Sequence, residues 1–257
     1  MGGQTAWARE WSRMRREEEA FLQRAFERRV PLSALYERVP KGLRSSLNGA
    51  LASALEATLR RSDRTPYAGS RRREARAAEL RVKTRSRENR RNLQAPKKWA
   101  DRAIRRQTAA AGAESVAMGL MGWGLPDLPV FTALLLRNLG TLAQRYGFPT
   151  GGRRERWFRL KLIETALSRG EAASAGDRAL NRMIEREALE TAEPERRWVE
   201  ASASALADEL LCLKFLQGVP VAGALGAVGS TAVLNRILEY AELKYRRRML
   251  RALRRNA

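Results

Sequence analysis

Histidine is absent from this chain, and cysteine occurs once, at Cys212. The first absence removes the commonest general base, the commonest zinc ligand and every Ser-His or Cys-His pair. The second excludes an intrachain disulfide and fits a reducing compartment. Strand signals are equally scarce, because no run sustains the alternation of β-branched residues that a strand needs. No Walker loop, nucleophile elbow or dinucleotide fingerprint occurs. The opening stretch, MGGQTAWAREWSRMRREEE, contains no apolar h-region, which argues against a signal peptide. Ala6 stands where a myristoylation motif wants Ser or Thr. Carboxylates remain for acid-base work at Glu114, Asp127, Glu164, Asp208 and Glu209, but Asp208 and Glu209 are adjacent and diverge on a helix. The expectation is a protein without catalysis, cofactor or metal.

What the chain has in excess is positive charge. Its formal net charge is +22, with 30% charged residues and a pI near 11.4. GC-rich coding alone could produce the preference for Arg over Lys, but it does not explain an uncompensated +22. Such a balance points to an anionic partner, either lipid or nucleic acid. The charge concentrates between Arg60 and Arg106, where fifteen Arg and three Lys face five acids. Pro66, Gly69-Ser70 and Pro96 punctuate that stretch, which reads as a mobile basic linker or an exposed helix. Tyr67 and Trp99 are too sparse to form a stacking platform for bases, so nucleic acid is the alternative and not the leading partner.

Helical periodicity covers the rest. Trp7, Trp11, Met14, Phe21, Leu22 and Phe26 share a face of a first helix ended by Pro31. Leu47, Leu51, Leu55 and Leu59 step by four after Pro40-Lys41-Gly42, a second stripe read as core-facing. A helix is expected over 98–122, broken by the two glycines and two prolines of Gly122–Pro129. Asp127 is placed to cap the next helix, with Pro129 in its first turn and Gly147 as the C′ residue after Tyr146. Further helices are expected over Arg153–Arg169, Asp177–Glu190 and Pro194–Gly218. A last one runs from Val219-Pro220 into the tail KYRRRMLRALRR.

Two weakly charged stretches interrupt this pattern. Ser115–Arg137 is broken only by Asp127, and Phe215–Asn235 holds no ionisable group until Arg236 follows. The second has the length to cross a hydrocarbon core of about 30 Å. Its glycines, Pro220, Gln217, Ser230 and Thr231 make it a poor simple span. Its rows Ala222, Gly226, Ser230 and Gly223, Ala227, Thr231 permit close helix packing, in a membrane or in a soluble core alike. The first stretch reads as a helical hairpin turning at Trp123–Pro129. Flanking cations at Arg102, Arg105 and Arg106, and at Arg246, Arg247 and Arg248, favour apposition to an anionic leaflet. Asn235 is a candidate partner for Arg236, locking the two stretches together.

The pattern GWGLPDLP…LLLR…YGF at Ala111–Phe148 resembles the EcsC family of bacterial proteins, and so does GVPVAGALGA…LNR…YRRRML at Gly218–Leu250. The resemblance covers residues 97–250. It places family motif positions at Pro126, Asp127, Pro129, Tyr146, Gly147, Pro220, Gly223 and Asn235, with Arg246–Arg248 as the basic tail. Ala222 departs mildly, since the family more often places two valines before the glycine. The resemblance implies a link to a bacterial ABC exporter and secretion, and no defined reaction.

The reading is therefore an all-α multi-helix bundle with an apolar hairpin and no significant sheet. It divides into amphipathic helices over 1–60, a basic linker or exposed helix over 61–96, and a helical domain over 97–257. Lipid contact is expected at Trp123, Leu125, Pro126 and Leu128, and at the six flanking arginines. Asp127, Pro129, Tyr146, Gly147, Pro220, Gly223, Gly226 and Asn235 are expected to be structural. The expected partner is an anionic phospholipid membrane, met peripherally at its cytoplasmic face, with a transporter or secretion component as a further partner.

Overall fold

The structure, a computed structural model, describes residues 5–28, 39–40, 42–64, 72, 75–80, 84, 89–118, 128–189, 191–215 and 224–255; side chains are described in these except 62–64, 107–118, 214–215 and 224–230. The fold is all-helical, and no strand occurs among the described residues. The main helices are α1 (Ala6–Glu27), α2 (Leu43–Arg64), α3 (Arg90–Met118), α4 (Leu128–Arg145), α5 (Arg153–Leu167), α6 (Gly170–Arg186), α7 (Glu195–Phe215) and α8 (Ala224–Arg255).

Local chemistry sets several of these ends. The Thr5 hydroxyl accepts from the Ala8 amide at 3.1 Å and caps α1. At the end of α4, the Phe148 amide donates to Ala143 O at 2.8 Å and the Gly147 amide to Gln144 O at 3.1 Å. These paired bonds form a Schellman motif around Gly147, whose φ of +79° is strained for any residue with a Cβ. Gly147 is thus the C′ residue that the sequence indicated. Pro96 lies inside α3, which starts earlier than the periodicity suggested and runs through it.

The bundle is organised around α8, which touches α1, α3, α4, α5, α6 and α7. From Tyr240 to Leu250 every residue of α8 is buried, so this helix has no solvent face there. The α2 stripe behaves as its spacing requires, with Leu47, Leu51, Leu55 and Leu59 all buried against α4 and α7. Each such leucine removed from water contributes about 1.5–3 kcal/mol. On α1, Met14 and Phe21 are buried and Trp7 and Trp11 half-buried, but Phe26 is 60% exposed. The helix ends at Glu27, and the expected stop at Pro31 lies outside the described residues.

The expected segments meet one another where contacts are visible. The first helix packs on α8, α6 and α3, and α3 itself crosses the expected boundary at residue 97. Within the expected linker, Ala77, Thr84 and Leu93 are buried. In the two weakly charged stretches, Phe131, Leu135, Leu136, Val233 and Leu234 pack into the core. No helix among the described residues is long and apolar enough to cross a membrane.

Candidate functional site

The cations of the C-terminal tail lie inside the protein. Lys244 is fully buried, and its Nζ meets Glu18 Oε1 of α1 at 2.9 Å and Asp177 Oδ1 of α6 at 2.6 Å. Arg246 pairs with Glu17, with Glu10 Oε1 at 3.3 Å and with Glu242 Oε1 at 3.6 Å. Arg247 reaches Glu18 Oε2 at 2.7 Å and Glu185 Oε1 at 3.3 Å. Arg248 donates to Glu155 Oε2 of α5 at 2.6 Å, with its guanidinium 4.1 Å from the Phe148 ring centre. The expectation that Arg246, Arg247 and Arg248 face lipid headgroups is therefore corrected. They are at most 7% exposed and already face carboxylates of neighbouring helices. An isolated charge at such depth would cost several kcal/mol, so each is matched.

Three tyrosines complete this interior. Tyr146 donates to Glu242 Oε1 at 2.5 Å, Tyr245 donates to Glu155 and Tyr240 donates to Asp177 Oδ1 at 2.7 Å. Burial pushes all three phenols well above their ordinary range, and the facing carboxylates push them the same way. They remain neutral donors. Burial raises the Glu17 carboxyl, but the Arg246 hydrogen bond and charge outweigh it and hold the group below its usual value. Burial likewise opposes the Arg246 charge, while Glu242 and Glu17 more than restore it. Tyr146 is thus a motif residue whose structural task is to tie the end of α4 to α8.

The arginines of α3 are placed differently. Arg91, Lys98, Arg102 and Arg105 follow intervals of seven, four and three residues, which align them on one helical face. All four are exposed, as are Arg90 and Arg106 beside them. The opposite face carries Leu93, Pro96 and Ala100, which are buried. Asp101 is the sole acid between Arg90 and Arg106; it is half-buried and flanks the stripe, three residues after Lys98 and four before Arg105. From Arg91 to Arg105 the stripe extends about 21 Å at 1.5 Å per residue. Sequence inspection found Arg102, Arg105 and Arg106 but missed Arg91 and Lys98, although their helical phase was available in the spacing.

The hairpin residues divide between described and undescribed positions. Trp123, Leu125, Pro126 and Asp127 lie outside the described residues, as do Pro220 and Gly223, and Gly226 is described only as backbone of α8. Leu128, expected to contact lipid, is half-buried against the core. Pro129 occupies the first turn of α4 and is exposed, as is Val130 at 38%. Asn235 is exposed and does not bond Arg236. That guanidinium instead donates its Nε to Ala166 O at 2.8 Å.

The candidate acid-base carboxylates with described side chains all have basic partners. Asp208 accepts both Nε and Nη2 of Arg44 at 2.7 and 3.0 Å, and Glu164 accepts from Lys161 at 2.7 Å. Glu209 holds Arg28 and, at 2.9 Å, Arg169. The Glu114 and Asp127 side chains lie outside the described residues. A cleft of about 360 Å³ between α5 and α7 is lined by Trp157, Lys161, Glu164, Arg197, Trp198 and Glu200. Among the described residues no cluster of Cys, Asp and Glu has an arrangement able to hold a metal ion.

Fold and interior together define an all-helical bundle threaded by a buried, ion-paired C-terminal helix, with a basic stripe on its outside. The EcsC protein family model matches residues 4–250, and the chain belongs to that family. The match includes the N-terminal helices, beyond the stretch in which the motifs were legible. No curated protein and no solved structure matches the chain.

Proposed function

We propose that this is a non-enzymatic, membrane-associated helical protein that docks on anionic lipid at the cytoplasmic face, in support of a transporter or secretion process. The observation that carries this reading is the α3 stripe of Arg91, Lys98, Arg102 and Arg105, exposed and in phase, with Asp101 the sole acid on its flank. Each cation held near an anionic leaflet contributes about 1 kcal/mol, and that attraction fades within a Debye length. A row along one helix face presents its charges to a plane together. The exposed Pro129 and Val130 at the start of α4 add apolar surface to the same reading.

Flotation with vesicles rich in phosphatidylglycerol and with pure phosphatidylcholine tests it. The protein is expected to float with the anionic vesicles, to stay behind with the neutral ones, and to be released by high salt. Glu in place of all four stripe residues should remove flotation while leaving helical content unchanged. Equal binding to both vesicles, no binding to either, or full binding by the stripe variant would overturn the reading. Retention of duplex DNA at vesicle-free equilibrium, lost in the same variant, would transfer the stripe to nucleic acid.

A further inference from the structure

A second arginine cluster lies where α1, α6, α7 and α8 converge, and it is not balanced. Arg28 closes α1, Arg169 precedes the first residue of α6, and Arg236 comes from α8. The carboxylate at their centre is Glu209 of α7, whose residue is 6% exposed. Its Oε1 accepts from Arg28 Nη2 and its Oε2 from Arg169 Nη2 at 2.9 Å. The Arg169 guanidinium also lies 3.5 Å from Cys212 Sγ. Arg236 bonds only the neutral Ala166 carbonyl among the hydrogen bonds described, and its guanidinium stands 5.5 Å from the centre of the Phe21 ring. The neighbouring Arg24–Glu239 pair is self-neutralising. Arg28 and Arg169 thus share one carboxylate, and Arg236, within electrostatic reach of both, forms no ion pair with it among the described residues.

Two donor atoms of this cluster are buried without a partner among the described residues, namely Arg28 Nη1 and Arg169 Nε. Burial, and then repulsion from Arg28, pulls the Arg236 guanidinium down to about 10. A half-buried cation with unused donors gains from an anion that completes it. Arg169, the N-cap of α6, supplies no side-chain capping bond to the first amides of that helix. Yet the cluster is not sealed, because the Arg28 and Arg169 side chains keep 22% and 14% of their exposure.

We infer that Arg28, Arg169 and Arg236 form a binding site for a phosphomonoester group, with Glu209 holding two of the guanidiniums in place. The net excess of positive charge matches a phosphomonoester, which carries about −1.5 to −2 at neutral pH. Arginine suits the task because its planar fork meets phosphate oxygens in pairs. The site is separate from the α3 stripe, which follows a surface of many charges and selects no single group. A soluble phosphomonoester and a phosphatidic acid headgroup carry the same chemistry.

The full chain is titrated with inorganic phosphate, read by calorimetry and by melting temperature, alongside Arg236→Gln and Arg169→Gln. Phosphate should bind the wild type and raise its melting point. Either substitution should weaken binding by roughly tenfold to a hundredfold, the value of one to two charge-assisted hydrogen bonds. Without phosphate, Arg236→Gln should melt no lower than the wild type, because it relieves repulsion. Absence of phosphate binding by the wild type, or undiminished binding by both variants, would overturn the inference. So would a large fall in melting point for Arg236→Gln without phosphate, which marks the cluster as structural only. Vesicles of phosphatidic acid and of phosphatidylglycerol at matched charge separate the sources. Tighter flotation on phosphatidic acid that depends on Arg236 assigns a headgroup, and equal flotation with phosphate binding intact assigns a soluble ligand. The α3 stripe variant should bind inorganic phosphate normally, so the two readings fail separately.

Discussion

Lys244 of α8 and Glu18 of α1 meet at 2.9 Å although 226 residues separate them, and neither side chain reaches more than 5% exposure. Glu18 also receives Arg247, so this carboxylate joins the first described helix to the last in two places. Removing one partner leaves an uncompensated buried charge, which costs about 3–5 kcal/mol. Glu18→Ala and Lys244→Met should each lose stability on that scale in chemical denaturation. The double variant should lose less than the sum of the two, since the Glu18–Lys244 contact is lost only once, although Asp177 and Arg247 each lose a partner in it.

The pH dependence follows from the tyrosines. The folded-state pKa of Tyr146, Tyr240 and Tyr245 is raised above the unfolded value of 10.0. Their contribution is fully present below pH 10.0 and is lost as pH rises past it, because the unfolded chain releases protons that the folded chain keeps. The urea midpoint should therefore fall on the alkaline side of pH 10.0, and Tyr146→Phe should make that fall shallower. Glu17 acts in the opposite direction. Its depressed pKa stabilises the fold above its ordinary value of 4.5, and that stability is lost as pH drops through the folded-state value. Glu17→Gln should flatten part of the acid limb.

Gly176 marks where α6 approaches α5. A Cβ there would lie 2.9 Å from Thr165 Cγ2 and closer still to Thr165 Oγ1. Gly176→Ala should destabilise the protein by about 1–3 kcal/mol through overpacking, despite its better helix propensity. Adding Thr165→Ala removes both crowding atoms and should recover part of the loss in thermal melts.

The two classes of arginine should separate experimentally. Arg248→Ala leaves Glu155 buried without its cation and should reduce stability by about 3 kcal/mol or more. Its vesicle binding, measured below the melting range, should match the wild type. Arg102→Glu and Arg105→Glu together should change stability by less than about 0.5 kcal/mol, as surface substitutions do, while reducing binding to anionic vesicles.

Much of this architecture was legible along the chain. Leu47, Leu51, Leu55 and Leu59 repeat every four residues, and a helix turns such a repeat into one buried side. Gly147 was readable because a left-handed C′ residue is a matter of local backbone. The burial of Arg246–Arg248 was not readable from the tail, where a basic run defaults to solvent. A signal did exist elsewhere. Glu10 and Glu18 interleave with Met14, Phe21 and Ala25 on the buried side of α1, so two acids punctuate an apolar stripe. Acids in that position call for buried cations from another helix.

The residues alone determined that the chain is helical, where several helices stop and which family it belongs to, because those properties depend on neighbours within a turn or two and on short motifs. Only the tertiary structure decided which arginines are spent inside and which face outward. A guanidinium is solvated or paired according to what an opposing helix places beside it, and Glu18 and Glu10, partners of Lys244 and Arg246, sit more than 200 residues away on α1.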